Sequence, residues 1–208
     1  MTRVREDLDH ELAILDELGF REVRRQRFWE LDLVARRDQL LASAEASRAA
    51  MRAQGLTLTT VDRDDDPDVL RKLHRLDIES TEDIPTTVPF PVLTYEEWLG
   101  HYFDNPAVRK DRFWLARIGD EVAGMSLIQY PPQRGIPWTE FTGTSPRHRG
   151  RGIARALKYE TVAQAIELGA TRIRTDNDSE NAPILHLNAE MGYQPEKSYL
   201  EMHHDLEV

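Results

Sequence analysis

The chain has 208 residues, of which 40% are hydrophobic and 31% charged, with a net charge of −10 and no cysteine. This length allows one domain with an appendage, and the lack of cysteine excludes disulfides, thiolate metal sites and a cysteine nucleophile. The first twenty residues are charged throughout and no apolar run could span a bilayer, so we expect a cytoplasmic protein without a membrane partner. The acidic balance argues against a nucleic-acid partner and suits a cationic substrate, although solubility explains it equally well.

The first 54 residues are predicted to form a helix-strand-strand-helix appendage. A helix ends before Gly19, and two short strands follow at residues 20–23 and 27–33. Apolar residues at helical spacing then predict an amphipathic connecting helix over residues 34–54, which ends at Gly55.

Residues 55–208 are predicted to form one complete α/β domain. The patterns predict a strand (56–61), a helix that opens at Asp66-Pro67 and runs to about residue 78, a long loop (79–93), a helix (95–103), a hairpin (113–118 and 121–130), a loop (131–137) and a strand (138–144). A helix (153–168), a strand (172–176), a helix (181–191) and two closing strands within 193–205 follow. The helix at 153–168 carries apolar residues on opposite sides, so we expect both sides to be covered.

A strand, a glycine turn and a helix meet at residues 144–154. Gly150 and Gly152 let the backbone approach a ligand closely, and the unpaired amides of the first helical turn point at it. The pattern therefore predicts a phosphate or pyrophosphate site, with a tight turn that binds nothing as the alternative. A Rossmann site would need a third glycine where Arg155 stands, and no Gly-Lys-Ser/Thr of a P-loop follows.

The string Arg147-x-x-Gly150-x-Gly152 resembles the pyrophosphate signature of the GNAT N-acetyltransferase superfamily, and the element order over residues 55–206 resembles the GNAT fold. The resemblance implies an α/β (α+β) fold with a mixed central sheet flanked by helices. It also implies acetyl-CoA as the donor, without a metal, and places acceptor contacts in the loop at 79–93. The cofactor-binding residues that it implies are Thr142, Gly143, Thr144, His148, Arg149, Gly150, Arg151, Gly152, Ile153, Ala154, Asn177 and Asn181.

The same resemblance indicates where catalysis would occur. Many members carry a tyrosine acid three residues before a Leu-Gly-Phe motif, and Asn188 stands there in this chain. An amide cannot act as that acid, so either water or another group must assist the thiolate in leaving. Members often use a glutamate of the motif strand as the base, and Glu140 is the candidate, on the same side as Thr142 and Thr144. His186, His203 and His204 are lesser candidates.

The beginning of the chain is similar to its end. Residues 18–33 align without gaps on residues 191–206, with a helix, a Gly-aromatic pair and a closing Asp-Leu in register. Residues 1–54 thus resemble the remnant of a first GNAT domain, and the chain resembles the C-terminal half of a tandem protein; a chance match of a common tripeptide is the alternative. Apolar residues of this remnant must pack in the same chain or in a second copy, and we expect a homodimer through it.

These observations favour an acetyl-CoA-dependent N-acetyltransferase that transfers an acetyl group directly to a primary amine of a small molecule or peptide. The alternative is a catalytically weak or inactive coenzyme A-binding or assembly module of the same fold. Asn188 and the missing first domain motivate this alternative, whereas the intact glycine signature favours the enzyme.

Overall fold

A computed structural model describes residues 1–82, 84–87, 89–131 and 135–204. It is a mixed α/β structure with helices α1 (Asp9–Glu17), α2 (Arg37–Ala53), α3 (Val69–Thr81), α4 (Tyr95–Phe103), α5 (Ile153–Glu167) and α6 (Ala182–Met191). The strands are β1 (Thr2–Arg5), β2 (Arg21–Asp32), β3 (Leu56–Thr60), β4 (Phe113–Ile118), β5 (Glu121–Gln129), β6 (Trp138–Thr144), β7 (Arg172–Asp178), β8 (Gln194–Pro195) and β9 (Tyr199–His203). Across the described ranges, no helix combines the length and the apolar character that a membrane crossing requires.

The chain forms two compact units. The first contains Met1–Leu31, Ile84–Phe90 and Thr175–Val208, and the second contains Asp32–Asp83 and Pro91–Arg174. The predicted boundary at residue 54 separates a remnant of a first domain from a complete second domain, whereas these units are defined by contacts alone. The boundary at residue 54 therefore stays a prediction.

The second unit is a sheet covered on both faces. Strands β3, β4, β5 and β6 pair antiparallel in that order, and β6 pairs parallel with the start of β7 at Trp138 and Arg174. One face is covered by α3 and α4, whose buried side chains cluster with Phe113, Leu115, Met125 and Leu127. The other face is covered by α2 and α5. This architecture agrees with the predicted mixed sheet flanked by helices.

Helix α5 is buried nearly all the way round, as expected from its two apolar sides. One side meets the sheet, and α2 of the same chain covers another. There the Arg48 guanidinium donates to both oxygens of Glu160, at 2.6 and 2.9 Å, and the Glu160 side chain is only 1% exposed. A buried carboxylate is tolerated because this bidentate pair compensates its charge. Helix α2 thus belongs to the core of the second unit.

The first unit contains a sheet in the order β1, β9, β2, β7. Strand β2 is one strand of 12 residues, so the prediction of two short strands at 20–23 and 27–33 was wrong. The arginine-rich segment between them was read as a break, but Arg24 and Arg25 pair with Asp178, Glu22 and Glu6. Strand β1 was missed altogether.

The two halves of this unit share one backbone pattern. With Leu18 matched to Met191, an offset of 173, α1 falls on α6 and β1 on the end of β7. Matching hydrogen bonds close both helices: the Phe20 amide donates to the Leu15 carbonyl at 2.9 Å, and the Tyr193 amide to the Asn188 carbonyl at 3.0 Å. Gly19 and Gly192 both have positive φ, as the left-handed cap requires. The repeat therefore extends beyond residues 18–33, back to Thr2.

The strands of the two halves are exchanged about a local twofold axis. Strand β2 pairs with β9 through Arg21 and His203, and the equivalent pair under the offset, Gln194 and Glu30, is formed by β8 and β2. The bond from the Glu6 amide to the Ser198 carbonyl likewise has its counterpart from Ser179 to Arg25. Sequence and backbone thus agree on the repeat over the described residues, while the closing Asp205-Leu206 lies outside them and the origin of residues 1–54 stays a prediction.

Two predicted helix starts were wrong because aspartates form local turns there. Asp66 accepts from the Asp68 amide at 2.8 Å and pairs with Lys72 and Arg117, so α3 begins at Val69 rather than at Pro67. Asp32 accepts in the same way from the amides of residues 34 and 35, which delays α2 to Arg37.

The N-terminal repeat should contribute strongly to stability. Leu31, at the end of β2, is fully buried, so Leu31→Ala should lower the free energy of unfolding by about 2–5 kcal/mol through lost contacts and a cavity. Leu18→Ala is the control, since Leu18 is 58% exposed and its loss should cost less than about 0.5 kcal/mol. Urea unfolding measures both, and equal, small effects would show that the repeat is dispensable.

Candidate functional site

The glycine loop connects β6 to α5 as expected. After Thr144, the buried Ser145 donates to a carboxylate oxygen of Glu79 on α3 at 3.2 Å, and one turn of 3-10 helix follows at Pro146–His148. Gly150 and Gly152 then take φ values of +75° and +81°. A side chain is strained at both, so glycine is needed for the turn that directs the chain into α5.

The start of α5 presents unpaired amides. Its N-cap is Gly152, which has no side chain to accept from the first turn, and no other side chain caps it in the described structure. A Cβ placed on Gly150 would meet no described atom within 4 Å, so the backbone is open on that side. Beneath the loop, the buried Thr144 hydroxyl has no hydrogen-bond partner among the described residues. Amides, positive dipole end and open backbone together fit a bound phosphate or pyrophosphate.

The charged side chains of the loop are held by neighbours. His148 contacts Glu121 at 3.0 Å, Arg151 donates to Gln54 at 3.2 and 3.3 Å, and Arg149 donates to the Thr144 carbonyl at 3.4 Å. The hydrogen bond to His148, followed by the charge of Arg147, lowers the pKa of Glu121. These contacts fix the shape of the loop and leave the backbone amides as its main anion donors.

Strand β6 leads into the loop with its two faces differently occupied. The Thr142 hydroxyl bonds the Ser126 hydroxyl at 2.8 Å, whereas Gly143 lies on the face toward α3, where an added Cβ would come within 2.6 Å of the Ser80 oxygen. In the second unit β6 pairs with β7 only at Trp138. The backbone groups of residues 141–144 on that edge have no ladder partner within the described part of this unit, which suits pairing with an extended ligand.

Glu140 lies at a bulge, which changes its side of the sheet. Leu127 pairs with Phe141 and Ile128 with Thr139, so Glu140 is the extra residue. Gln129 donates to its carboxylate at 2.6 Å. The expected common side with Thr142 and Thr144 was therefore wrong: the bulge turns Glu140 toward the face that α3 and α4 cover.

An acidic and aromatic group on α3 and α4, which the sequence reasoning missed, lies on this face. Trp98 and Tyr102 donate to the two oxygens of Asp77 at 3.1 and 3.3 Å. Burial raises the pKa of Asp77. Burial also raises the pKa of Tyr102, with smaller contributions from the charges of Asp77 and Glu140, so the phenol stays protonated. The spacing of Trp98 and Tyr102, one helical turn apart, was the available signal.

The three asparagines belong to the first unit. Asn188 is fully buried and donates to the Asn177 side-chain oxygen at 2.6 Å, which leaves the Asn177 NH₂ group to donate elsewhere. Asn181 is the N-cap of α6, and its side chain makes no cap bond. Asn188 thus positions Asn177 and has no proton to give as an acid.

The three histidines named as lesser candidates for the base differ in their surroundings. His203 contacts Glu201 at 2.8 Å and His204 packs on the Phe20 ring at 5.3 Å, whereas His186 is exposed on α6. The described ranges contain no group of three or more histidines and carboxylates arranged to hold a metal ion.

A mixed sheet, a strand that ends in a glycine loop and an open helix start form an arrangement that fits a bound phosphate or pyrophosphate. The model of the acetyltransferase (GNAT) family matches residues 71–193, more than half of the chain. The chain therefore belongs to this family.

Several known proteins resemble the chain. Acetyltransferase SG1711 of Sodalis glossinidius is 29% identical over 90 residues, which cover 43% of this chain and 62% of that protein. A GCN5-related N-acetyltransferase from Sphaerobacter thermophilus superposes with a TM-score of 0.71 at 20% identity, over 96% of this chain and 57% of its own. A tandem GNAT protein from the clavulanic acid biosynthesis pathway superposes with a TM-score of 0.64 at 16% identity, over 96% of this chain and 62% of its own. The two structures show the fold alone, and the chain spans about three fifths of the length of all three proteins.

Proposed function

We propose that the protein is an acetyl-CoA-dependent N-acetyltransferase that transfers an acetyl group directly to a primary amine. The observation that carries this proposal is the pair of positive-φ glycines before an uncapped helix start, in a member of the acetyltransferase family. The amides of residues 148–154 would hold the pyrophosphate of coenzyme A, and the edge of β6 at residues 141–144 would pair with its pantetheine arm. Asn177 and Asn181 would add contacts from their side-chain amides.

When bound, acetyl-CoA supplies an acetyl thioester whose carbonyl carbon forms the new bond to the amine nitrogen as the carbon–sulfur bond breaks. Glu140 takes the proton that the attacking amine must lose, held in place by the hydrogen bond from Gln129. Asn188 cannot return a proton to the departing sulfur, so this proton would come from water or from another group, and a thiolate is a stable enough leaving group to tolerate this. The protonated Tyr102, with Asp77 behind it, shapes the face on which Glu140 lies.

A coenzyme A-binding module without turnover is the second candidate, and the buried Asn188 in the tyrosine position favours it. Thiol release from acetyl-CoA, measured against a panel of amines, separates the two functions. The transferase releases thiol only when a suitable amine is present. Tight coenzyme A binding without release on any amine would contradict turnover and support the module.

We also propose that the protein forms a homodimer and is located in the cytoplasm. Of the apolar residues that motivated the dimer, Trp29, Leu31 and Leu33 are buried and Phe20 and Phe28 are half-buried within the single chain, so a dimer would have to use another surface of the N-terminal repeat, such as the exposed Ile14. Light scattering should give twice the chain mass. A single-chain mass at micromolar concentration would contradict the dimer.

A further inference from the structure

The first unit contains a cavity of about 510 Å³ that the glycine loop does not form. Its walls are residues 22–25 and 27 of β2, Thr86 and Thr87 of the loop between α3 and α4, and residues 178–180, which end β7 and follow it. This volume suits a small ligand. The N-terminal repeat therefore supplies one wall of the cavity, and the C-terminal repeat and the loop between α3 and α4 supply the other two.

Arg24 joins the three walls. Its Nε donates to the buried carboxylate of Asp178, and its terminal nitrogens donate to the Pro85 carbonyl at 2.7 Å and to the Thr86 hydroxyl at 3.4 Å. A planar guanidinium with three partners from two other segments holds both in fixed positions. The cavity is thus a built feature of the fold.

Among the charged side chains that line the cavity, Arg27 and Glu180 form no ion pair within the described residues. Arg24 pairs with Asp178, and Arg25 pairs with Glu22 at 2.9 Å and with Glu6 at 2.8 Å. Within the described residues, the side chains of Arg27, Ser179 and Glu180 form no hydrogen bond or ion pair. The cavity therefore offers a guanidinium and a hydroxyl as donors for an anionic group, and a carboxylate for an ammonium group.

The position of this cavity relates it to the proposed reaction. Residues 178–180 are flanked directly by Asn177 and Asn181, for which we proposed contacts to coenzyme A. The cavity also reaches the loop in which acceptor contacts were expected, at Thr86 and Thr87. A ligand held there would lie beside Asn177 and Asn181, in the same unit.

We propose that this cavity is a subsite for the acceptor, and that the acceptor carries an anionic group, a carboxylate or a phosphate, in addition to its amine. Arg27 and Ser179 bind the anionic group, and Glu180 attracts the ammonium group. This inference rests on the proposed acetyl transfer for the word acceptor, whereas the binding of the anionic group stands independently of turnover.

Matched pairs of amines test the preference. L-lysine against cadaverine and L-phenylalanine against phenethylamine differ by a carboxylate, and phosphoethanolamine against ethanolamine differs by a phosphate. The anionic member of a pair should have a kcat/KM at least about ten-fold higher, the value of one charge-assisted hydrogen bond. Arg27→Ala should remove this preference by lowering kcat/KM for the anionic member of the pair. The pair that shows the preference identifies the anionic group.

Arg37→Ala is the matched control, because Arg37 is also exposed, has no side-chain partner in the described structure and lies at the start of α2 outside the cavity. It should keep the full preference. Turnover without any preference, or a preference that Arg27→Ala leaves intact, would overturn the subsite while the acetyltransferase stands.

If no amine is acetylated, the proposed acetyl transfer is overturned, but the subsite for an anionic group is not. Direct binding then tests this subsite. N-acetylglycine and inorganic phosphate are then titrated while the melting temperature is followed, since a ligand that binds the folded state raises it. At least one should raise the melting temperature of the natural chain and of Arg37→Ala, and not that of Arg27→Ala. The absence of an Arg27-dependent shift with both ligands would overturn the subsite.

Discussion

Gly152→Glu should raise the dissociation constant of acetyl-CoA about 100-fold, the equivalent of two lost charge-assisted hydrogen bonds. Gly152 has a φ of +81° as the N-cap of α5, where a side chain is strained. The new carboxylate would also lie where the amides attract phosphate and would repel it. A Cβ at this position meets only the end of Met51, at 3.8 Å, so the fold should persist. Titration calorimetry with acetyl-CoA measures the change.

Gly169→Glu is the control for this change. Gly169 follows the other end of α5, has the same φ of +81°, and would have open space around an added Cβ among the described atoms. It therefore carries the same strain and the same added charge at a distance from the loop. Its acetyl-CoA affinity should remain that of the natural chain. If both variants bind acetyl-CoA equally well while circular dichroism shows both folded, the glycine loop does not bind the cofactor.

The sequence was most informative where structure depends on local chemistry. Strand β6 and helix α4 have the predicted bounds, and α5 begins at the predicted Ile153. The two helices have local signals, since Gly150 and Gly152 with positive φ lie just before α5, and Thr94 caps α4 with Glu97 in a reciprocal box. The candidate anion site could be predicted because all its parts lie within about a dozen consecutive residues.

Strand β2 could not be predicted as one strand, because its stability depends on distant partners. Its centre is a run of charge without alternating apolar residues, and its Arg24 is neutralised by Asp178, 154 residues away in the chain. The exchange of strands between the two halves of the first unit is of the same kind. Few residues are identical between the copies, whereas their backbone hydrogen bonds correspond one by one.

The side of Glu140 was mispredicted because a bulge leaves no clear mark in the sequence. Alternation along a strand assigns faces only if no residue is inserted, and one extra residue reverses the assignment. Neither glycine nor proline marks residues 139–141. Gln129, which donates to Glu140 from the neighbouring strand, and Tyr102 of α4, whose pKa the charge of Glu140 helps to raise, are brought near Glu140 only by the folded sheet and helix.

Glu140→Gln should lower kcat about 10²- to 10⁴-fold, the usual contribution of a general base. The substitution keeps the size of the side chain and its contact with Gln129, so the affinity for acetyl-CoA should remain nearly unchanged. A base acts only when unprotonated, so in the natural enzyme the rate falls as the pH drops through the pKa of the base. That dependence should disappear in the variant, leaving the ionisation of the amine itself. The pH profile of kcat/KM with a saturating donor measures this.

Glu96→Gln provides the comparison for Glu140→Gln, since Glu96 is exposed in the first turn of α4 and its side chain has no partner in the described structure. It should keep both the rate and the pH profile. Gln129→Leu removes the donor that holds Glu140, and it should lower kcat by about ten-fold, the value of one hydrogen bond to a charged group, without removing the pH dependence. If Glu140→Gln retains the natural pH profile, the base lies elsewhere, with Asp77, His186 or an ordered water as the next groups to test. Three results together would assign the proton transfer to the carboxylate that the bulge of β6 turns toward α3 and α4. Glu140→Gln should lose both the rate and the pH dependence, Gln129→Leu should lose only part of the rate, and Glu96→Gln should lose neither.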